Sequence, residues 1–209
     1  MTNLPRTILA IESAICGGSI SLIENGVEIR NWIGSSSVSK AEDLLVNIDA
    51  ILTSTGVSRH DIDMVAVSAG PGSFTGIRIG LATALGFQDG LGIAMSSESA
   101  LRAMAFQRPE NITAALPVGR GSVCVQSFRS VDAQPVAVDH PQAMPDETFF
   151  DLVHNARDTN FILHESLYLR VAQMSVVTNF GSNLAFAIGT ICASRPGQMT
   201  EPLFISKSV

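Results

Sequence analysis

Charge and aromatic rings are both scarce in this 209-residue chain: charged residues make up 15% and aromatic residues 6%, with one tryptophan and one tyrosine. So few charges exclude a disordered, self-repelling chain. So few rings leave Ala, Val, Ile and Leu to supply most of the 46% hydrophobic content. There is no run of Lys or Arg and no basic stripe interleaved with rings. At a formal net charge of −6 the chain gains nothing from counterion release, so direct tight nucleic acid binding is not expected. The three cysteines, Cys16, Cys124 and Cys192, are far apart and form no C-x-x-C pair, which excludes a zinc knuckle and reads as buried reduced thiols. The four histidines form no H-x-x-x-H or H-E-x-x-H pair, so no metal and no cofactor is expected. No window reaches the roughly 18 unbroken apolar residues of a membrane span. Residues 1–6 lack the charged start, long apolar stretch and small-residue cleavage site of a secretory leader, which gives the expectation of a cytoplasmic protein.

What is present is α/β patterning. A β-rich run at 7–11 is followed by alternating runs at 19–23 and 27–33 that flank Asn25-Gly26, a strong hairpin signal. Ser39-Lys40-Ala41-Glu42 fits a capping box, and Ala41, Leu44, Leu45, Ile48, Ile51 and Leu52 recur at helical spacing up to Gly56. A short buried strand is expected at 64–68, a second helix at 77–88 and a strand at 92–95. Ser96 and Ser97 are read as caps of a third helix. Beyond that the spacing predicts a hairpin around Gly119-Arg120-Gly121, a strand at 135–138 and a helix at 149–155. A strand at 160–163, a last helix at 183–193 and a strand at 203–206 complete the reading, while His164-Glu165 is assigned to surface or loop. Pro109 and Glu110 break the pattern, so two α/β lobes are expected, at 1–108 and 109–209.

The most informative segment runs from Ala66 to Leu81. A strand enters a glycine-rich turn, Gly70-Pro71-Gly72-Ser73-Phe74-Thr75-Gly76, which opens onto a helix carrying Ile77 and Arg78. The glycines permit close backbone approach, and Ser73 and Thr75 have the chemistry to cap the first amides. Such a turn is able to hold a phosphate. It is neither a P-loop nor a dinucleotide fingerprint, however, and it carries no lysine. The plain alternative is a tight turn that lets elements pack closely. Ser73 is out of frame for a G-x-S-x-G nucleophile elbow.

This segment resembles the hallmark G-P-G-S-F-T-G-[IV]-R-[IV]-G of the TsaB (YeaZ-type) family of threonylcarbamoyladenosine biosynthesis. The start Ile8-Leu9-Ala10-Ile11-Glu12-Ser13, the lead-in Asp61-Ile62-Asp63-Met64-Val65 and the ending Glu201-Pro202-Leu203-Phe204 are similar too. The likeness is strong in the first half and thin from 110 to 180. The resemblance implies a two-lobed fold of the actin, hsp70 and sugar-kinase (ASKHA) type. It also implies a role rather than a reaction: a non-catalytic scaffold for TsaD, the transferase that modifies the adenosine beside the tRNA anticodon, with the TsaE ATPase joining the assembly. It implies a docking surface on the first two helices, 41–53 and 77–88, with Leu44, Leu45, Ile48, Ile77, Leu81, Ala84 and Leu85 as its apolar residues. Gly80, Thr83 and Gly86 keep the second helix small enough for close approach. The competing reading is that these faces pack on the protein's own sheet.

The chain departs from the pattern where the family has Asp-Thr (here Glu12-Ser13), where it often has His-Ser (here Lys40-Ala41), and where it has Asp-Ala-Arg-x-Gly-Glu-Val-Tyr. That last element reads Pro117-Val118-Gly119-Arg120-Gly121-Ser122-Val123-Cys124. A second function stays open: a small actin-like kinase or ATPase holding nucleotide near Glu12 and the 70–76 loop. A third is a homodimer that occupies the partner surface.

Overall fold

The computed structural model describes residues 4–15, 17–34, 43–108, 110–119, 121–156, 159–173, 177–179 and 183–204. Contacts divide the chain into a compact unit of Met1–Ala100 with Ser182–Leu203 and a second built on Leu101–Gly181.

The first unit is a five-stranded sheet. Strands β1 (Thr7–Glu12), β2 (Ser19–Glu24) and β3 (Val27–Ile33) form an antiparallel meander, and β4 (Met64–Ser68) and β5 (Ala94–Glu98) add parallel strands in the order β3-β2-β1-β4-β5. Asn25 (φ 51°) and Gly26 (φ 80°) both turn left-handed between β2 and β3, as the Asn-Gly pair predicts. Helix α1 (Leu44–Thr55) connects β3 to β4, and α2 (Phe74–Leu91) connects β4 to β5. Every residue of β1 and β4 is buried, since helices cover both faces of the sheet. Alternation along β1 divides its side chains. Leu9 and Ile11 join Leu22, Leu44, Ile48 and Ile51 in the core beneath α1 and α2. On the other face lies α6 (Leu184–Ala193), which packs across β1, β2, β4 and β5. Gly189 lets that helix lie flat: a Cβ there would stand 2.9 Å from the Cβ of Ala10 and 2.5 Å from Cδ1 of Ile23.

The second unit repeats this topology. Strands β6 (Ile112–Gly119), β7 (Ser122–Val131) and β8 (Gln134–Ala137) form a meander. After α4 (Asp146–Asn155), β10 (Phe161–Leu163) pairs parallel to β6. After α5 (Glu165–Val171), β11 (Val177–Asn179) pairs parallel to β10. The order β8-β7-β6-β10-β11 matches that of the first sheet strand for strand. A further strand, β9 (Gln142–Pro145), pairs with the first residues of β7, whose last residues pair with β8. Phe149, Phe150, Phe161, Val153 and Leu167 fill its core.

The expected α/β architecture is therefore present, while the lobe boundary is corrected. The 108/109 cut places 183–193 in the second lobe, yet α6 packs on the first sheet, and α3 (Ala100–Phe106) falls almost entirely in the second unit. A break in local pattern marks a turn, and contacts distant in sequence decide which core a helix joins. Ser96 and Ser97 are not helix caps. They lie in β5, where Ser96 Oγ accepts from the Gly197 amide at 2.8 Å and Ser97 Oγ from the Thr200 amide at 2.7 Å. Leu203 and Phe204 are not in a strand, although the Leu203 amide donates to the Ala69 carbonyl at 2.9 Å. The box Ser39-Lys40-Ala41-Glu42, Cys16, Arg120 and 205–206 lie outside the described residues.

Candidate functional site

The glycine-rich turn sits where β4 meets α2. Helix α2 starts at Phe74, three residues earlier than its apolar spacing suggests, and Ser73 is its N-cap, with Oγ accepting from the Gly76 amide at 3.3 Å. Two further hydrogen bonds of the turn run to the residues that follow β1. The Ser73 amide donates to the Ala14 carbonyl at 2.6 Å, and Ser13 Oγ donates to the Gly76 carbonyl at 2.9 Å. A Cβ at Gly72 would stand 2.4 Å from the Ala14 carbonyl oxygen. One at Gly76 would stand 2.0 Å from that of Ser13, and one at Gly80 would stand 2.4 Å from Ser13 Oγ. Gly70 (φ 81°) is needed for its left-handed turn and because Ile77 Cδ1 would lie 2.6 Å from a Cβ. Pro71 is buried, whereas Ser73, Phe74, Thr75 and Arg78 are exposed, with the Arg78 guanidinium 5.3 Å from the Phe74 ring centre. The space a phosphate would need beside Gly72 and Gly76 is filled by residues 13 and 14.

Glu12 ends β1 and is 3% exposed. Its Oε1 accepts from the amides of Ala14 at 2.6 Å and Ile15 at 2.9 Å. Burial pushes its carboxyl up to about 7, against the opposing pull of those two amides. This is the geometry of a structural acceptor folding its own turn. The nucleotide reading asks the same group and the same loop to face a metal-bound phosphate, whereas Glu12 Oε1 and the Ser73 and Gly76 amides are engaged in internal bonds.

The seven apolar residues expected to form a docking surface divide into two sets. Leu44, Ile48, Ile77 and Ala84 are buried in the first unit's own core, and Leu81 packs against that core half-buried. This corrects the expectation for the four buried residues. A helix lying on a sheet turns its most apolar stripe inward, so the strongest helical periodicity marks the core. Leu45 and Leu85 are exposed, at 62% and 47%. Leu45 borders an apolar groove of about 710 Å³ between α1 and α2, whose floor includes Ile79, Phe87 and Leu91. Gly86 and Gly90 line it too, and a Cβ on either would meet nothing within 4 Å. Arg59 and His60, from the short 3-10 turn Arg59–Asp61, stand at one border. Gly80, read as a surface position, faces inward onto Ser13.

Other reactive groups are quiet. Cys124 and Cys192 are buried, and burial pushes the Cys124 thiol up to about 12. His164 is not a surface residue: at 8% exposure it caps α5, accepting from the Ser166 amide at 3.2 Å, and burial lowers its basicity despite the neighbouring Glu165. Among the described residues no three His, Cys, Asp or Glu side chains converge on a metal position, and no helix is long and apolar enough to cross a membrane.

Comparison with known proteins gives consistent results. Residues 36–142 match the family model described as TsaD: tRNA N6-adenosine threonylcarbamoyltransferase. The chain is 33% identical over 122 residues to the tRNA threonylcarbamoyladenosine biosynthesis protein TsaB of Haemophilus influenzae, a match covering 56% of this chain and 50% of that protein. It is 36% identical over 98 residues to TsaB of Escherichia coli, covering 47% of this chain and 42% of that one. The chain thus spans about half the length of the curated relatives it matches. In fold it is similar to YeaZ from Pseudomonas aeruginosa, with TM-score 0.71 at 19% identity, covering 90% and 91% of the two chains. It is also similar to component A of (R)-2-hydroxyglutaryl-CoA dehydratase from Acidaminococcus fermentans, with TM-score 0.51 at 8% identity, covering 90% and 98%.

Proposed function

Because the chain belongs to the TsaD-type family of tRNA threonylcarbamoyladenosine proteins, and within it to the TsaB/YeaZ group, we propose that it is a non-catalytic partner of a TsaD-like catalytic subunit in that modification, with a TsaE-like ATPase joining the assembly. The observation that carries this reading is the apolar groove between α1 and α2. Exposed Leu45 and the open glycines Gly86 and Gly90 in its lining give it the character of a surface that another helix covers. The glycines weigh most. Each costs the free helix about 0.5–1 kcal/mol relative to alanine, yet nothing inside the protein lies close enough to require the missing side chain. Gly76 and Gly80 on the same helix each meet Ser13, so their absence of a side chain is explained from within.

The chemistry of the remaining groups supports a holding role. Glu12, an acid strongly perturbed by burial, bonds its own turn, and Gly72 and Gly76 of the glycine loop close on backbone rather than on open space. The test is co-purification with the host's TsaD-like subunit, followed by titration of Leu45→Arg and Leu85→Arg. Both side chains are exposed in the free protein, so folding is retained, while an arginine buried at the contact leaves an unpaired charge and weakens association at least tenfold. Unchanged affinity in Leu45→Arg would remove the groove from the interface, and unchanged affinity in Leu85→Arg would remove the adjoining exposed face of α2. Self-association that competes with the partner would identify a second copy as an alternative occupant.

A further inference from the structure

We propose that Glu12 is a positioning residue for α2: its carboxylate folds the turn after β1 into the template on which the helix begins. The docking consequence rests on the function proposed above; the local mechanical claim does not.

The argument starts from spacing. Gly72, Gly76 and Gly80 recur every four residues, so they share one side of the helix and its lead-in. A Cβ on each would strike Ser13 or Ala14, at 2.4, 2.0 and 2.4 Å. The glycine segment is therefore a cast of one two-residue turn. Two hydrogen bonds fasten the cast to its template, from the Ser73 amide to the Ala14 carbonyl at 2.6 Å and from Ser13 Oγ to the Gly76 carbonyl at 2.9 Å.

The template is in turn held by the Glu12 carboxylate, whose single oxygen Oε1 accepts from both Ala14 and Ile15. Without that acceptor two buried amides lose their partner and the turn loses its fixed shape. The same helix carries Leu85, Gly86 and Gly90 toward its other end. At 1.5 Å per residue α2 is about 27 Å long, so a tilt of about 5° at its start moves that end by about 2 Å. An apolar helix–helix contact does not tolerate such a displacement.

The test compares Glu12→Gln, Glu12→Ala and Ser13→Ala by hydrogen exchange, together with titration by the TsaD-like subunit. Glutamine retains an oxygen able to accept both amides and should behave as wild type in both measurements. Alanine at 12 should speed exchange of the Ser73, Gly76 and Ile77 amides at least tenfold, leave the amides of β6 and β7 unchanged, and weaken the partner at least tenfold. Ser13→Ala, which keeps the turn but drops one bond, should show a smaller local effect. The inference is overturned if exchange at 73–77 is unchanged in Glu12→Ala, if glutamine is as loose as alanine, or if exchange rises evenly across the whole first unit. Local loosening without any partner binding by the wild-type chain would uphold the positioning role and reject the proposed function.

Discussion

Replacing Gly86 with leucine should leave the free protein at least as stable while blocking its partner. Gly86 lies in the fourth turn of α2 with helical backbone, and a Cβ there meets nothing within 4 Å. Leucine is a better helix former than glycine by about 0.8 kcal/mol. For a chain of this size that corresponds to a rise in Tm of about 2–3 °C. In the complex the same side chain enters the groove floored by Ile79 and Phe87, where another helix is expected. Overpacking of that kind costs about 1–3 kcal/mol, equivalent to a roughly 5- to 150-fold loss of affinity. Calorimetric melting of the free variant and titration with the TsaD-like subunit measure the two effects separately. A fall in Tm of more than about 2 °C would mean that position 86 is not open. A higher Tm with undiminished affinity would mean that the groove is not where the partner sits.

Other outcomes follow from the same contacts. Gly76→Ala should be severe, costing about 3 kcal/mol or more in urea denaturation, because its Cβ would meet the immovable Ser13 carbonyl at 2.0 Å; a loss under about 1 kcal/mol would show that the turn yields easily. Glu12 gives a pH signature. With its folded pKa raised from the ordinary 4.5 to about 7, the native chain holds a proton that the unfolded chain has released across that window. Stability contributed by this group therefore falls as pH rises from about 4.5 to 7, by up to about 3 kcal/mol. Glu12→Gln should lose that slope, so wild-type and variant curves that stay parallel over this range would contradict the burial argument. Leu45→Arg and Leu85→Arg should melt within about 2 °C of wild type, as exposed substitutions do, while association weakens.

Much of the first unit is legible in the sequence because its signals are local. Asn25-Gly26 fixes a hairpin, Ser73 caps a helix and Gly56 ends one with a left-handed turn. The apolar spacing of α1 and α2 is equally plain, but periodicity reports a face without saying what covers it. Leu44 and Ile48 therefore read as interface when they are core, and of the residues lining the groove the sequence reading names Leu45, Thr83 and Gly86 but passes over Ile79, Phe87 and Gly90. In the second unit β10 and β11 have three residues each and α5 has seven, too short to generate a period, so α5 and β11 escape detection along with β9. The exchange of α3 and α6 between units depends on contacts between residues far apart in the chain, as does the fit of Gly72, Gly76 and Gly80 to Ser13 and Ala14. Three glycines at a spacing of four was the only local hint of that fit.

The most direct measurement is hydrogen exchange of this chain with and without its TsaD-like subunit at saturating concentration. The account predicts new protection in α1 and α2 around Leu45, Leu85 and Gly86, with β7 and α5 unchanged. Protection confined to the second unit, or a mixture in which neither protein alters the other's exchange, would contradict it.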